Sequence, residues 1–116
     1  MTDKELLELA AKAAEMKIFV WGKKGSENYC IKNNDGTPGN RWNPLTDDGD
    51  ALRLAVKLGI DLRFYPCPQI AEPWVEAATE NNASDELLQS DPYAATRRAI
   101  TRAAAEIGKT MENQNV

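Results

Sequence analysis

A chain of 116 residues with 18 acids, 14 bases and no histidine is bounded before any motif is read. Its length suits one domain with a proper core, and its net charge of −4 lacks the basic footprint of a sequence-independent nucleic-acid binder. The missing histidine removes Ser-His and Cys-His nucleophiles, the commonest general base at neutral pH and the usual nitrogen metal ligand.

Thr2 to Glu15 has the period of an amphipathic helix, with Leu6, Leu7, Ala10, Ala13 and Ala14 as its apolar stripe and Thr2 or Asp3 as its cap. No signal-type apolar segment follows Met1, and no run approaches the ~18 apolar residues of a membrane span. The expectation is a cytoplasmic protein without membrane association, its two cysteines, Cys30 and Cys67, both reduced.

Ile18 to Trp21 is a short strand without alternation, which suggests cover on both faces. Gly22-Lys23-Lys24-Gly25-Ser26 lacks the spacing of a phosphate loop and precedes a strand, so it reads as a hairpin turn into Asn28–Lys32. Asn33 to Asn40 is dense in turn residues and reads as a long mobile loop.

A second helix is expected from Thr46 to Leu58. Leu52, Ala55 and Leu58 face inward, Ala51, Leu54 or Val56 widen that face, and Gly59 stops the helix. Ile60 to Tyr65 alternates, with Ile60, Leu62 and Phe64 inward. Pro66-Cys67-Pro68 ends that strand and holds a structural thiol. Trp74 to Thr79 is the next strand, and Asn81 to Gln89 a polar connection in which Asp85 to Leu88 form a helical turn. Asp91-Pro92 opens the longest helix, running to about Met111.

The order α-β-β-α-β-β-α defines an α+β fold: an antiparallel sheet of about four strands packed with three helices, αβα sandwich-like. Residues 1–111 form a single domain, and 112–116 a frayed tail.

The segment Arg41-Trp42-Asn43-Pro44-Leu45-Thr46-Asp47-Asp48-Gly49-Asp50 joins a large aromatic to a helix entry loaded with carboxylates. Counted back from Gly49, the first and third calcium-ligand positions would be Pro44 and Thr46, so the register of a calcium loop fails. No metal, cofactor or catalytic residue is assigned. The candidate partner-binding residues are Trp42, Asn43, Asp47, Asp48 and Asp50, where a loop feeds a helix N-terminus, together with Arg98 and Arg102, which share a face of the last helix. The competing reading is that the aspartates only cap the helix and pair internally with Arg97, Arg98 or Arg102.

Two stretches, Arg41-Trp42-Asn43-Pro44-Leu45-Thr46-Asp47-Asp48-Gly49-Asp50-Ala51-Leu52 and Ala95-Thr96-Arg97-Arg98-Ala99-Ile100-Thr101-Arg102-Ala103-Ala104, resemble small proteins of tailed phages and prophages of enteric bacteria. Their domain is described as a phage alpha-beta-alpha sandwich. The likeness covers roughly Arg41 to Ile107 and brings no activity with it. The resulting expectation is a non-enzymatic phage or prophage accessory protein in the host cytoplasm, binding a host or phage protein, itself a monomer or weak homodimer and not a nucleic-acid binder. The alternatives are an acidic DNA mimic that inhibits a host DNA-binding enzyme, and a small carboxylate-based enzyme.

Overall fold

The computed structural model describes residues 1–65 and 72–114. Cys67, expected to be a structural thiol between its prolines, lies outside the described residues. The element order is α1 (Asp3–Ala13), β1 (Ile18–Trp21), β2 (Asn28–Lys32), β3 (Pro38–Arg41), α2 (Asp48–Leu58), β4 (Asp61–Tyr65), β5 (Trp74–Ala78), β6 (Ala83–Leu87) and α3 (Pro92–Gln114). The fold is α+β, as expected. Its strands differ from expectation: among the described residues there are six, arranged in two three-stranded antiparallel sheets ordered β1-β2-β3 and β4-β5-β6.

The two unexpected strands have separate physical reasons. β3 has no apolar alternation because it is an exposed edge, held by backbone pairing of Cys30 with Arg41 and Lys32 with Pro38 around a bulge. Pro38 suits the first position of such an edge. The expected long loop is thus a hairpin turn: Gly36 donates to the Asn33 carbonyl (2.9 Å), and the Asp35 carboxylate accepts from the Thr37 backbone (3.0 Å) and hydroxyl. A Cβ at Gly39 would lie 2.8 Å from Asn33 Oδ1, so a larger residue there would have to displace the Asn33 side chain. β6 pairs in full register with β5, but its inward positions are Ser84 and Glu86, which inverts the apolar signal. Ser84 is buried, and Glu86 is met by Arg102 of α3.

Three burial expectations also change. Leu52 and Val56 point to solvent, 59% and 74% exposed, because Ala51, Leu54 and Ala55 already fill the inner face of α2. Phe64 is exposed although Ile60 is buried and Leu62 packs on the core. β1, read as covered on both faces, is an edge strand with only part-buried residues and an exposed Trp21.

α3 is the spine of the molecule, packing against α1, α2, β5 and β6. It runs to Gln114, past the expected end at Met111. The core gathers Leu7, Ala10 and Ala14 from α1, Tyr29 from β2, Trp42, Leu54 from α2, Val75 and Ala77 from β5, and Ala99, Ile100, Ala103 and Ala104 from α3. Alanine supplies so much of it that the backbones approach closely and few side chains carry volume.

Candidate functional site

The segment between β3 and α2 is pinned at every step. Trp42 donates its backbone N–H to the Tyr29 carbonyl (3.1 Å) and buries its ring, leaving 5% exposed. The Asn43 side chain accepts from the Leu45 N–H (2.9 Å), and its carbonyl accepts from Thr46 (3.1 Å) and Asp47 (2.9 Å). Pro44 is fully buried. Asp47 is the N-cap of α2 and accepts from the Asp50 N–H (2.8 Å), satisfying one of the free donors of a helix start. Asp50 accepts from the Asn43 N–H (2.9 Å) on one oxygen and from Arg53 (2.7 Å) on the other, with its side chain 11% exposed.

α3 secures this entry from the far side. Arg97 donates to the Leu45 carbonyl (2.9 Å) and pairs with Asp48 (2.7 Å). Arg98 pairs with Asp3 at the start of α1 (3.3 Å), and Arg102 binds Glu86 and the Asp85 carbonyl. The basic strip of the last helix therefore ties three elements to α3. Of the seven candidate residues, the structure brings Trp42, Asn43, Asp47 and Asp50 to the wall of one cleft and leaves Asp48, Arg98 and Arg102 off it. Trp42 supports that wall from inside the core, so its buried ring offers little area to a partner.

The cleft, about 450 Å³, lies between β2, the end of β3 and the start of α2. It also takes in residues the sequence reading did not select: Glu27, Tyr29, Arg41 and Arg53. A second hollow of about 350 Å³ shares Arg41, Trp42, Asp50 and Arg53 with it and continues to Met16, Ile31, Leu54 and Lys57. Arg53 and Lys57 are flanked on the outer face of α2 by Leu52 and Val56, which are four apart and share a side. The missed signal was legible: one face of an eleven-residue helix could not bury Ala51, Leu52, Leu54, Ala55, Val56 and Leu58 together.

Burial pushes the Tyr29 phenol above its usual value, and the charges of Glu27, Glu8 and Asp3 push the same way. A phenol raised in the folded state contributes stability that is fully present below the unfolded value near 10 and is lost as pH rises through the folded value. An ultraviolet titration of the folded protein minus that of Tyr29→Phe is expected to show a phenol ionising above 10; one ionising at or below 10 would contradict this. Asp35 moves the other way, held down chiefly by the Thr37 hydroxyl.

Asp50 anchors the site rather than presenting a free charge. Asp50→Ala strands the Asn43 N–H and leaves Arg53 without its closest partner, so a loss of about 1–3 kcal/mol is expected in urea denaturation. Asp48→Asn, at an exposed carboxylate, is expected to cost less than about 1 kcal/mol. Equal losses would remove the distinction.

Among the described residues no three His, Cys, Asp or Glu side chains gather as a metal site requires, and no helix is long and apolar enough to cross a membrane. Comparison with protein-family models, curated proteins and solved structures found no match to this chain.

Proposed function

We propose that this chain is a small non-catalytic accessory protein of the phage and prophage type it resembles, working in the host cytoplasm by binding another protein. The observation that carries the reading is the outer face of α2. Leu52 and Val56 are large, apolar and open to water on the helix that also lends Arg53 and Lys57 to a groove with Arg41. Scattered exposed apolar residues are ordinary, but a large apolar pair one helical turn apart, open to water on the same short helix as the exposed cations Arg53 and Lys57, has the make-up of a docking surface. Both hollows are open to solvent and mix charged with apolar lining, which suits a protein surface better than an enclosed small-molecule pocket.

The other readings have less support. An acidic DNA mimic needs free carboxylates in phosphate-like order, whereas Asp3, Asp48, Asp50, Glu86 and Glu112 each lie against a cation of this chain. A carboxylate enzyme needs two acids converging on a space for substrate, whereas Asp47 and Asp50 spend their oxygens on the helix start and on Arg53.

Leu52→Ser/Val56→Ser leaves the core untouched, so the variant is expected to keep its circular dichroism and lose less than about 0.5 kcal/mol. Affinity capture from host lysate with wild type and variant side by side tests the reading. A protein enriched by the wild type and lost from the variant is the expected result. Equal enrichment by both, or none by either, overturns it.

A further inference from the structure

The two hollows beside α2 have Arg41, Trp42, Asp50 and Arg53 in common. The first sets Glu27, Asp47 and Asp50 against Arg41 and Arg53, whereas the second, the groove that continues to Met16 and Ile31, sets Asp50 alone against Arg41, Arg53 and Lys57. Glu27 accepts from the Gly25 N–H (3.1 Å), Asp47 from the Asp50 N–H (2.8 Å), and Asp50 from the Asn43 N–H (2.9 Å) and Arg53. Asp50 thus spends both oxygens within the fold. Arg41 and Lys57 are exposed and have no ion-pair partner among the described residues. Arg53 meets Asp50 and Asp47 yet keeps 73% of its side chain in solvent. The lining of this groove is therefore net positive, three cations against Asp50 alone, on a molecule whose net charge is −4.

Its apolar parts sit next to those cations. Met16, Ile31 and Leu54 line this hollow with Lys57. We infer that this groove takes an acidic segment of a partner protein, with carboxylates on Arg41, Arg53 and Lys57 and an apolar side chain against Met16, Ile31 and Leu54. Guanidinium groups suit this role because their forked donors match a carboxylate. Three cations on an acidic chain make a poor nucleic-acid track, which needs a basic stripe and stacking aromatics, and a phosphate backbone would leave the apolar wall unfilled.

The inference rests on the protein-binding reading and narrows it to a partner chemistry. The test is a selection of random dodecapeptides displayed against the immobilised full chain, followed by fluorescence anisotropy on the enriched peptides. Enriched sequences are expected to combine Asp or Glu with Leu, Ile or Phe. Their affinity should fall about tenfold in Arg41→Glu/Lys57→Glu and weaken as salt is raised. Both positions are exposed, so circular dichroism should report an unchanged fold; Arg41→Gln/Lys57→Gln, which adds no new repulsion, should show a smaller loss in the same direction. No enriched peptide, enriched peptides without net negative charge, an affinity unchanged in both variants, or tighter binding of labelled oligo-dT than of the peptides would overturn it. A lysate protein lost from Leu52→Ser/Val56→Ser but kept by Arg41→Glu/Lys57→Glu removes this inference and leaves the protein-binding reading standing.

Discussion

Replacing Trp42 by alanine is expected to lower the unfolding free energy by about 3–5 kcal/mol, a large part of the roughly 5–15 kcal/mol of a domain this size. The size of the effect follows from the company the ring keeps. Around it the core is alanine-rich, with Ala10, Ala14, Ala51, Ala55, Ala99, Ala103 and Ala104 all buried. Small neighbours on packed helices have no long side chains to swing into a hole, so the cavity would stay open. The backbone on either side adds to the cost of collapse: Trp42 N–H is bonded to Tyr29 and Asn43 N–H to Asp50, which hold the segment away from the vacated space. Urea denaturation followed by circular dichroism checks this, since Trp21 and Trp74 complicate fluorescence. A loss below about 1 kcal/mol would mean that the ring is not part of the core. Trp42→Phe, which keeps most of the apolar area, should lose markedly less.

What could be read in the sequence divides along burial. α1, α2, β4 and α3 were legible because each carries an apolar period, and β1, β2 and β5 because short apolar runs bounded by turn residues read as strands. The caps were legible too: Thr2, Asp47 and Asp91 all accept from the amide three residues on. β3 and β6 were not legible, since one is a polar edge held by main-chain bonds and the other turns Ser84 and Glu86 inward. No local pattern encodes a strand whose inward carboxylate is answered by Arg102, sixteen residues away on α3. The candidate site was half legible. Trp42 and the aspartates Asp47 and Asp50 were found on the wall of one cleft, but composition could not say which charges the fold would consume. That depends on Arg53, one turn along α2, and on Arg97, far along the chain. With those partners in position the carboxylates become architecture, and Arg41 and Lys57 are left facing water.

The second large effect belongs to Gly108, where helix propensity and packing pull in opposite directions. In the interior of α3 an alanine would be favoured over glycine by about 1 kcal/mol on propensity alone. Yet a Cβ built on Gly108 falls inside the contact distance of the Leu9 carbonyl oxygen, 2.8 Å from its carbonyl carbon and 3.2 Å from its Cα. All three obstructing atoms are backbone, so no rotamer change can clear them, and α1 must move away from α3. That separation would loosen the alanine surfaces of both helices, Ala10 and Ala14 on one and Ala103, Ala104 and Ala105 on the other, which are buried now because the helices lie so close. Overpacking of this kind costs about 1–3 kcal/mol and sometimes more, so Gly108→Ala is expected to be a net loss despite the propensity gain, and Gly108→Val a larger one. Truncating the Leu9 side chain should not rescue either variant, because the clash is with its main chain. A neutral or stabilised Gly108→Ala in urea denaturation would show that α1 and α3 do not meet this closely. Rescue by Leu9→Ala would place the conflict in a side chain instead.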